Sequence, residues 1–165
     1  MQVTELFDVR DRVVAITGAA SGIGLAYAQV MAANGARLAL VDIDSDGLQK
    51  VVQTLSATAG AVQGYVADVT QPETLRAALS EATTHFERLD VVFANAGISG
   101  GPGFLRGTGE RNPDGEVENL SFALWQQVFA TNVDSLFHTL QAVVPQMKKQ
   151  GAGRIVVTSS ISASM

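Results

Sequence analysis

Thr17-Gly18-Ala19-Ala20-Ser21-Gly22-Ile23-Gly24 decides the fold, because of what stands on either side of it. Before it, Val13-Val14-Ala15-Ile16 is an unbroken apolar run, the pattern of a strand buried on both faces. After it, Ile23, Tyr27, Val30 and Met31 recur at helical spacing as far as Asn34-Gly35, a helix stop. A buried strand, a glycine-rich turn and a helix make the first part of a βαβ unit.

Outward from this stretch the alternation repeats. Leu38-Ala39-Leu40-Val41 reads as a second strand and ends at Asp42. Leu48, Val51, Val52 and Leu55 form one stripe of a helix. Ala61 to Ala67 reads as a third strand, ending at Asp68, and Pro72 to Phe86 as a helix with Pro72 in its first turn. Val91-Val92-Phe93-Ala94 is a fourth strand that runs into Asn95-Ala96-Gly97. Ser99 to Asn119 is an insert of Gly, Pro and charges around Phe104-Leu105, and its acidic part, Glu110 to Glu118, reads as a solvated loop.

Phe122 to Gln150 reads as one long helix, loosened at Pro145 and stopped by Gly151 and Gly153. Its apolar stripe is Trp125, Val128, Phe129, Val133, Leu136, Leu140, Val143 and Met147, with Trp125 and Phe129 expected in the core. Ile155-Val156-Val157 is a fifth strand leading to Thr158-Ser159-Ser160. Strict strand–helix alternation demands a parallel sheet covered on both faces. Right-handed crossovers then favour a doubly wound α/β fold with strand order 3-2-1-4-5. Ligands of such sheets sit beyond the carboxyl ends of the strands, where Gly18, Asp42, Asp68, Asn95 and Ser160 fall.

Composition removes several function classes. The 165 residues suit one domain or a large part of one, and 47% hydrophobic content with a net charge of −5 excludes disorder as the main state. With no Cys there is no disulfide framework and no thiolate zinc site. His85 and His138 lie on helices without a second ligand at i+4, so both read as surface or packing residues and no metal site is expected. The acidic balance argues against nucleic acid or an anionic membrane as partner. Met1 to Arg12 lacks the apolar core of a signal peptide, and no apolar run approaches the roughly 18 residues that span a bilayer. A cytoplasmic location is the expectation.

The turn between the first strand and first helix has the glycines that a dinucleotide pyrophosphate needs: a tight turn, a closely approachable backbone and free helix N-terminal N–H groups. An ordinary glycine-rich turn is the alternative. The segment is not a Walker loop, because no Lys follows Gly24. Asp42 follows Gly24 by 18 residues, the position of a carboxylate that accepts from adenosine ribose hydroxyls. It favours NAD, because a carboxylate there repels the 2′-phosphate of NADP and Ser21 brings no positive charge. The other use of Asp42 or Asp44 is to cap the next helix, which Asp44 fits better.

In this order the motifs resemble those of the short-chain dehydrogenases/reductases. Thr17 to Gly24 is similar to their TGxxxGxG signature, Asp68-Val69 to an adenine-contacting pair, and Asn95-Ala96-Gly97 to the NAG motif after the fourth strand. Gly153 to Ser160 resembles the strand that ends in the catalytic Ser. The resemblance implies a Rossmann fold and an enzyme that moves hydride between NAD and an alcohol or carbonyl compound. It implies cofactor contacts at Gly18, Ser21, Gly22, Ile23, Gly24, Asp42, Asp68, Val69, Asn95, Ala96 and Gly97. It makes Ser160, or Ser159, the residue that hydrogen-bonds the substrate oxygen. Asn132 matches a catalytic-site Asn whose main-chain carbonyl holds a water of the proton relay. On the residues alone, Asn132 is a mid-helix amide on an apolar stripe that needs hydrogen-bond partners. Members commonly form dimers or tetramers through the long helix, so a homodimer or homotetramer of the full-length protein is implied.

The family's proton donor is a Tyr followed by Lys in a Tyr-x-x-x-Lys motif beyond the catalytic Ser. Here Tyr27 is followed at that spacing by Met31 and Tyr65 by Val69, so the motif is absent. A fifth strand as apolar as Ile155-Val156-Val157 also makes a poor sheet edge. The expectation is the N-terminal, cofactor-binding part of an enzyme of about 250 residues. The competing reading is a catalytically inactive dinucleotide-binding or interaction module. No residue names the substrate.

Overall fold

The computed structural model describes residues 8–57 and 60–160. The chain's first residues, up to Phe7, and the residues after Ser160 lie outside the described range. Five strands form one parallel sheet: β1 (Val13–Thr17), β2 (Arg37–Asp42), β3 (Ala61–Val66), β4 (Val91–Ala94) and β5 (Arg154–Val157). Their order is β3-β2-β1-β4-β5, as the alternation requires. The pairing is in plain register, Val14 against Leu38 on one side of β1 and against Val91 on the other.

Among the described residues the helices around the sheet are α1 (Gly22–Ala33), α2 (Ser45–Leu55), α3 (Pro72–Phe86) and the helical stretch after the insert. Side chains along β1 and β2 alternate between two cores. Val13, Ala15, Ala39 and Val41 pack with Leu75, Leu79 and Phe86 of α3. Val14, Ile16, Leu38 and Leu40 pack with Ala28 and Ala32 of α1 and with Leu48 and Leu55 of α2. Each fully buried Leu, Ile or Val contributes about 1.5–3 kcal/mol, so the central strands hold the fold. The edge strands β3 and β5 do not share this burial: only Tyr65 of β3 is buried, and Val156 and Val157 of β5 are exposed.

The stretch expected as one long helix has three parts. α4 (Phe122–Phe129) passes into a π-helical segment, Ala130–Asp134, and then into α5 (Ser135–Gln150). α5 runs through Pro145 to Gln150 and stops at Gly151, so the departure from α geometry falls at Asn132 rather than at the proline. The expected core role of Trp125 and Phe129 is overturned. Trp125 is 55% exposed and stacks on Phe129, itself 42% exposed, with ring centroids 4.4 Å apart. The reason lies in what each half of the stripe meets. Val143 and Met147 of α5 pack against α3 and the sheet, whereas α4 buries no residue.

The insert is more folded than a solvated loop. Leu105 bridges Arg111, Arg111 pairs with Glu116 at 2.6 Å, and Asn112 is buried with its amide donating to the Gly103 carbonyl at 2.9 Å. Two short turns, Pro113–Gly115 and Val117–Asn119, follow. His85 is exposed, with its ring edge-on to Phe86, and His138 is half-buried.

At the opposite end of the sheet, Asp90 is 5% exposed and accepts from the Val13 N–H at 2.9 Å and from the Arg88 guanidinium at 2.8 Å. Burial pushes its carboxyl up. Hydrogen bonds from Arg88 and the Val13 N–H, with the charges of Arg88 and Arg12, outweigh that and hold it below the ordinary carboxylate value. A lowered folded-state pKa stabilises above the unfolded value, and the gain is lost as pH falls through the folded one. Urea unfolding is therefore expected to show a constant Asp90 contribution above about pH 5 that disappears as pH drops below about 4. Asp90→Asn is expected to flatten that acid limb; an unchanged limb would refute this account.

Candidate functional site

A cavity of about 630 Å³ opens where the strands end, and all five strands reach it. Gly18 follows β1, Asp42 ends β2, Ala67 and Asp68 follow β3, Asn95 to Gly97 follow β4, and Thr158 follows β5. Thr131, in the π-helical segment, and Gln127, one turn earlier in α4, close the side.

The turn at Gly18 has a backbone that only glycine enters freely. Gly18 has φ +67°, and a Cβ there would lie 2.9 Å from the Cα of Ala96. Gly22 faces open space, so the backbone at the start of α1 is bare towards the cavity. Ser21 is the N-cap of α1, yet its side chain makes no capping hydrogen bond and the first turn holds no acid. α2 and α4 are capped through Asp44 and Ser121, which accept from Gly47 N–H and Leu124 N–H. The N–H groups and positive dipole end of α1 are thus left for an anion in the cavity.

Asp42 is oriented by two backbone donors. Its Oδ2 accepts from Ala20 N–H at 2.8 Å and its Oδ1 from Asp44 N–H at 2.9 Å. Asp44, not Asp42, caps α2. Asp68 begins the turn into α3, its Oδ1 accepting from Thr70 N–H at 2.9 Å and from the Thr70 hydroxyl at 2.7 Å.

Asn95 lies at the middle of a network. Its Nδ2 donates to the carbonyls of Thr17 at 3.1 Å and Gly18 at 3.4 Å, while its Oδ1 accepts from the Thr158 hydroxyl at 2.9 Å. The Thr17 hydroxyl, 1% exposed as part of its residue, accepts from the N–H groups of Asn95 and Ala96 at 3.0 and 3.1 Å. The amide of Asn132 clasps Ile98 in both directions, accepting from its N–H at 2.8 Å and donating to its carbonyl at 2.9 Å.

Of the expected cofactor residues, Gly18, Ser21, Gly22, Ile23, Asp42, Asp68, Val69, Asn95, Ala96 and Gly97 line the cavity. Gly24 does not; it packs beneath the turn, where a Cβ would lie 2.0 Å from the Gly18 carbonyl oxygen. Asn132 also stands back from the cavity. It is exposed rather than core-facing, because the π-helical turn presents its amide to Ile98. Ser160 is exposed and is not among the lining residues.

Sequence reading missed Thr158, Gln127 and Thr131 as lining residues. Thr158 was signalled by its place just past a strand end, and Gln127 and Thr131 share one helix face at i, i+4 spacing. Tyr65 is buried and is not among the lining residues. Burial, assisted by the charge of Glu81, pushes its hydroxyl up to about 12, and that hydroxyl has no hydrogen-bond partner. Among the described residues no group of three His, Asp or Glu stands ready for a metal, and no helix is long and apolar enough to cross a membrane.

Comparison with known proteins agrees with this geometry. Levodione reductase of Leifsonia aquatica is 37% identical over 153 residues, which is 92% of this chain and 53% of the relative. The crystal structure of NAD+-bound xylitol dehydrogenase superposes with a TM-score of 0.84 at 31% identity, over 94% of this chain and 55% of that one. The NADPH-dependent 3-quinuclidinone reductase from Rhodotorula rubra gives a TM-score of 0.81 at 32% identity, over 99% of this chain and 57% of that one. The chain therefore spans about half the length of the curated relatives it matches. The family described as short chain dehydrogenase matches residues 12–165, which takes in every strand end around the cavity. With the motifs, the strand order and this match in agreement, the chain belongs to the short chain dehydrogenase family.

Proposed function

We propose that this chain forms the cofactor-binding part of an NAD-dependent oxidoreductase that interconverts an alcohol with a ketone or aldehyde. Asp42 carries the NAD reading. Its carboxylate lines the cavity, two backbone N–H groups aim it, and the neighbouring lining residues Ser21 and Ile43 carry no positive charge. Such a group accepts from ribose hydroxyls and repels a 2′-phosphate. Similar structures include both an NAD+-bound and an NADPH-dependent enzyme, so the choice rests on this chain's own residue.

The remaining residues fit a dinucleotide. In this reading the uncapped start of α1 and the bare Gly22 backbone bind its pyrophosphate, Asp68 and Val69 contact the adenine, and the backbone of Asn95 to Gly97 lines a ribose, which the free helix start and the lining of the cavity support. When bound, the nicotinamide supplies the hydride donor or acceptor. Ser160 orients the substrate oxygen, and the Asn132 carbonyl, in the π-helical segment, holds a relay water. With no Tyr-x-x-x-Lys in the 165 residues, little or no turnover is expected from this chain alone.

The exposed row of Phe122, Trp125, Phe129, Val133 and Phe137 supports a homodimer or homotetramer of the full-length enzyme. Its substrate is a small alcohol or carbonyl compound, and its location cytoplasmic.

Fluorescence titration with NADH and NADPH tests the reading. Wild-type chain is expected to prefer NADH. Asp42→Ala is expected to weaken NADH binding about 10- to 100-fold, the loss of a hydrogen bond to a charged acceptor, and to narrow the preference. Preference for NADPH in the wild type would overturn the assignment. NADH binding with no alcohol-dependent NADH formation, in a chain that carries the C-terminal part as well, would select the inactive module instead.

A further inference from the structure

We infer that Thr158 is a positioning residue that joins the end of β5, the strand leading to Ser160, to the glycine-rich turn through the side chain of Asn95. The assignment of hydrogen-bond roles forces this. Asn95 Nδ2 has two carbonyls to serve, those of Thr17 and Gly18 at 3.1 and 3.4 Å, and a carbonyl only accepts. Its Oδ1 must therefore face Thr158, and there the hydroxyl must be the donor, at 2.9 Å. The Asn95 amide lies close against the turn: a Cβ added to Gly24 would stand 2.7 Å from Nδ2, and one added to Gly18 3.3 Å from it. Thr158 is itself fixed by its N–H, which donates to the Ala94 carbonyl at 3.1 Å and extends the β4–β5 ladder one residue past Val157.

The consequence is a single chain of polar contacts across three neighbouring strands: β5 through Thr158, β4 through Asn95, and β1 through Thr17 and Gly18. Cofactor turn and substrate-side strand end are set by the same amide. Without the Thr158 hydroxyl, Asn95 Oδ1 loses its donor, and the amide is held only from its Nδ2 side, by the Thr17 and Gly18 carbonyls.

Thr158→Val removes the donor and keeps the shape and β-branching; Thr158→Ser keeps the donor. The first readout is hydrogen–deuterium exchange of the peptide covering Gly18 to Gly24 in the full chain without ligand. Thr158→Val is expected to speed its exchange about threefold to tenfold, the loss of one hydrogen bond, while Thr158→Ser stays near wild type. Unchanged exchange in Thr158→Val, or equal acceleration in both variants, would overturn the coupling. The second readout, NADH titration, rests on the NAD reading above. A threefold to tenfold weaker Kd in Thr158→Val, restored in Thr158→Ser, is the expected result, at about the same hydrogen-bond magnitude. A wild type that binds no NADH would refute that reading, while the exchange result would still decide the role of Thr158.

Discussion

Gly24→Ala is expected to abolish dinucleotide binding and to destabilise the chain by about 3 kcal/mol, the upper part of the range for overpacking a filled site. The position tolerates no Cβ. An added methyl would stand 2.0 Å from the carbonyl oxygen of Gly18, 2.8 Å from its carbonyl carbon and 2.7 Å from Asn95 Nδ2. Two of these three atoms are backbone, and they belong to the turn itself. Relief requires α1 to move away from β1, which carries the bare N–H groups of the helix start out of the cavity. Equilibrium urea unfolding measures the stability loss and NADH titration the binding loss. Gly22→Ala is the contrasting variant, since nothing lies within 4 Å of a Cβ there. Its strain is confined to the positive φ of 53°, so it is expected to lose less stability. Equal stability losses at both positions would defeat the close-packing explanation.

Thr17→Val is the second large effect. One hydroxyl accepts from two backbone N–H groups, of Asn95 and Ala96, at 3.0 and 3.1 Å, and donates to the Phe93 carbonyl at 3.4 Å. Valine has almost the same shape and no acceptor. The two N–H groups, on half-buried residues at the cavity wall, are left without that acceptor, at about 1–3 kcal/mol each, so a total near 3 kcal/mol is expected. The loss is concentrated where β4 ends, so the cavity wall formed by Asn95 to Gly97 loosens before the central strands do. Thr17→Ser restores the acceptor and is expected to recover most of the stability. A valine variant as stable as wild type by urea unfolding would show that the geometry relaxes without penalty.

What was legible in the sequence was local. The runs Val13-Val14-Ala15-Ile16 and Leu38-Ala39-Leu40-Val41 announce strands buried on both faces, and both are. Asp44 announces a cap three residues before Gly47, and it caps. Ten of the expected cofactor residues line one cavity because a doubly wound sheet delivers every strand's C-terminal end to the same side.

The parts that were not legible depend on contacts distant in the chain. Asn132 finds its partner in Ile98, 34 residues earlier, so helical periodicity could not show that its amide would be satisfied in an exposed position. Periodicity also places Trp125 and Phe129 on an apolar face without saying what covers that face. Nor does any residue pattern from Ala130 to Asp134 announce π geometry, since Ala, Thr, Asn and Val all fit an α-helix as well.

That π-helical segment also fixes a rotational phase. An α-helix closes a turn with about 3.6 residues and an i→i+5 turn takes up about one residue more, so Ala130–Asp134 absorbs that residue while α4 and α5 keep their relative phase. One residue taken out of it would restore regular α geometry and remove the wide turn that presents the Asn132 amide to Ile98. A single-residue deletion there is therefore expected to cost the Asn132–Ile98 clasp and to leave α4 and α5 facing as they do.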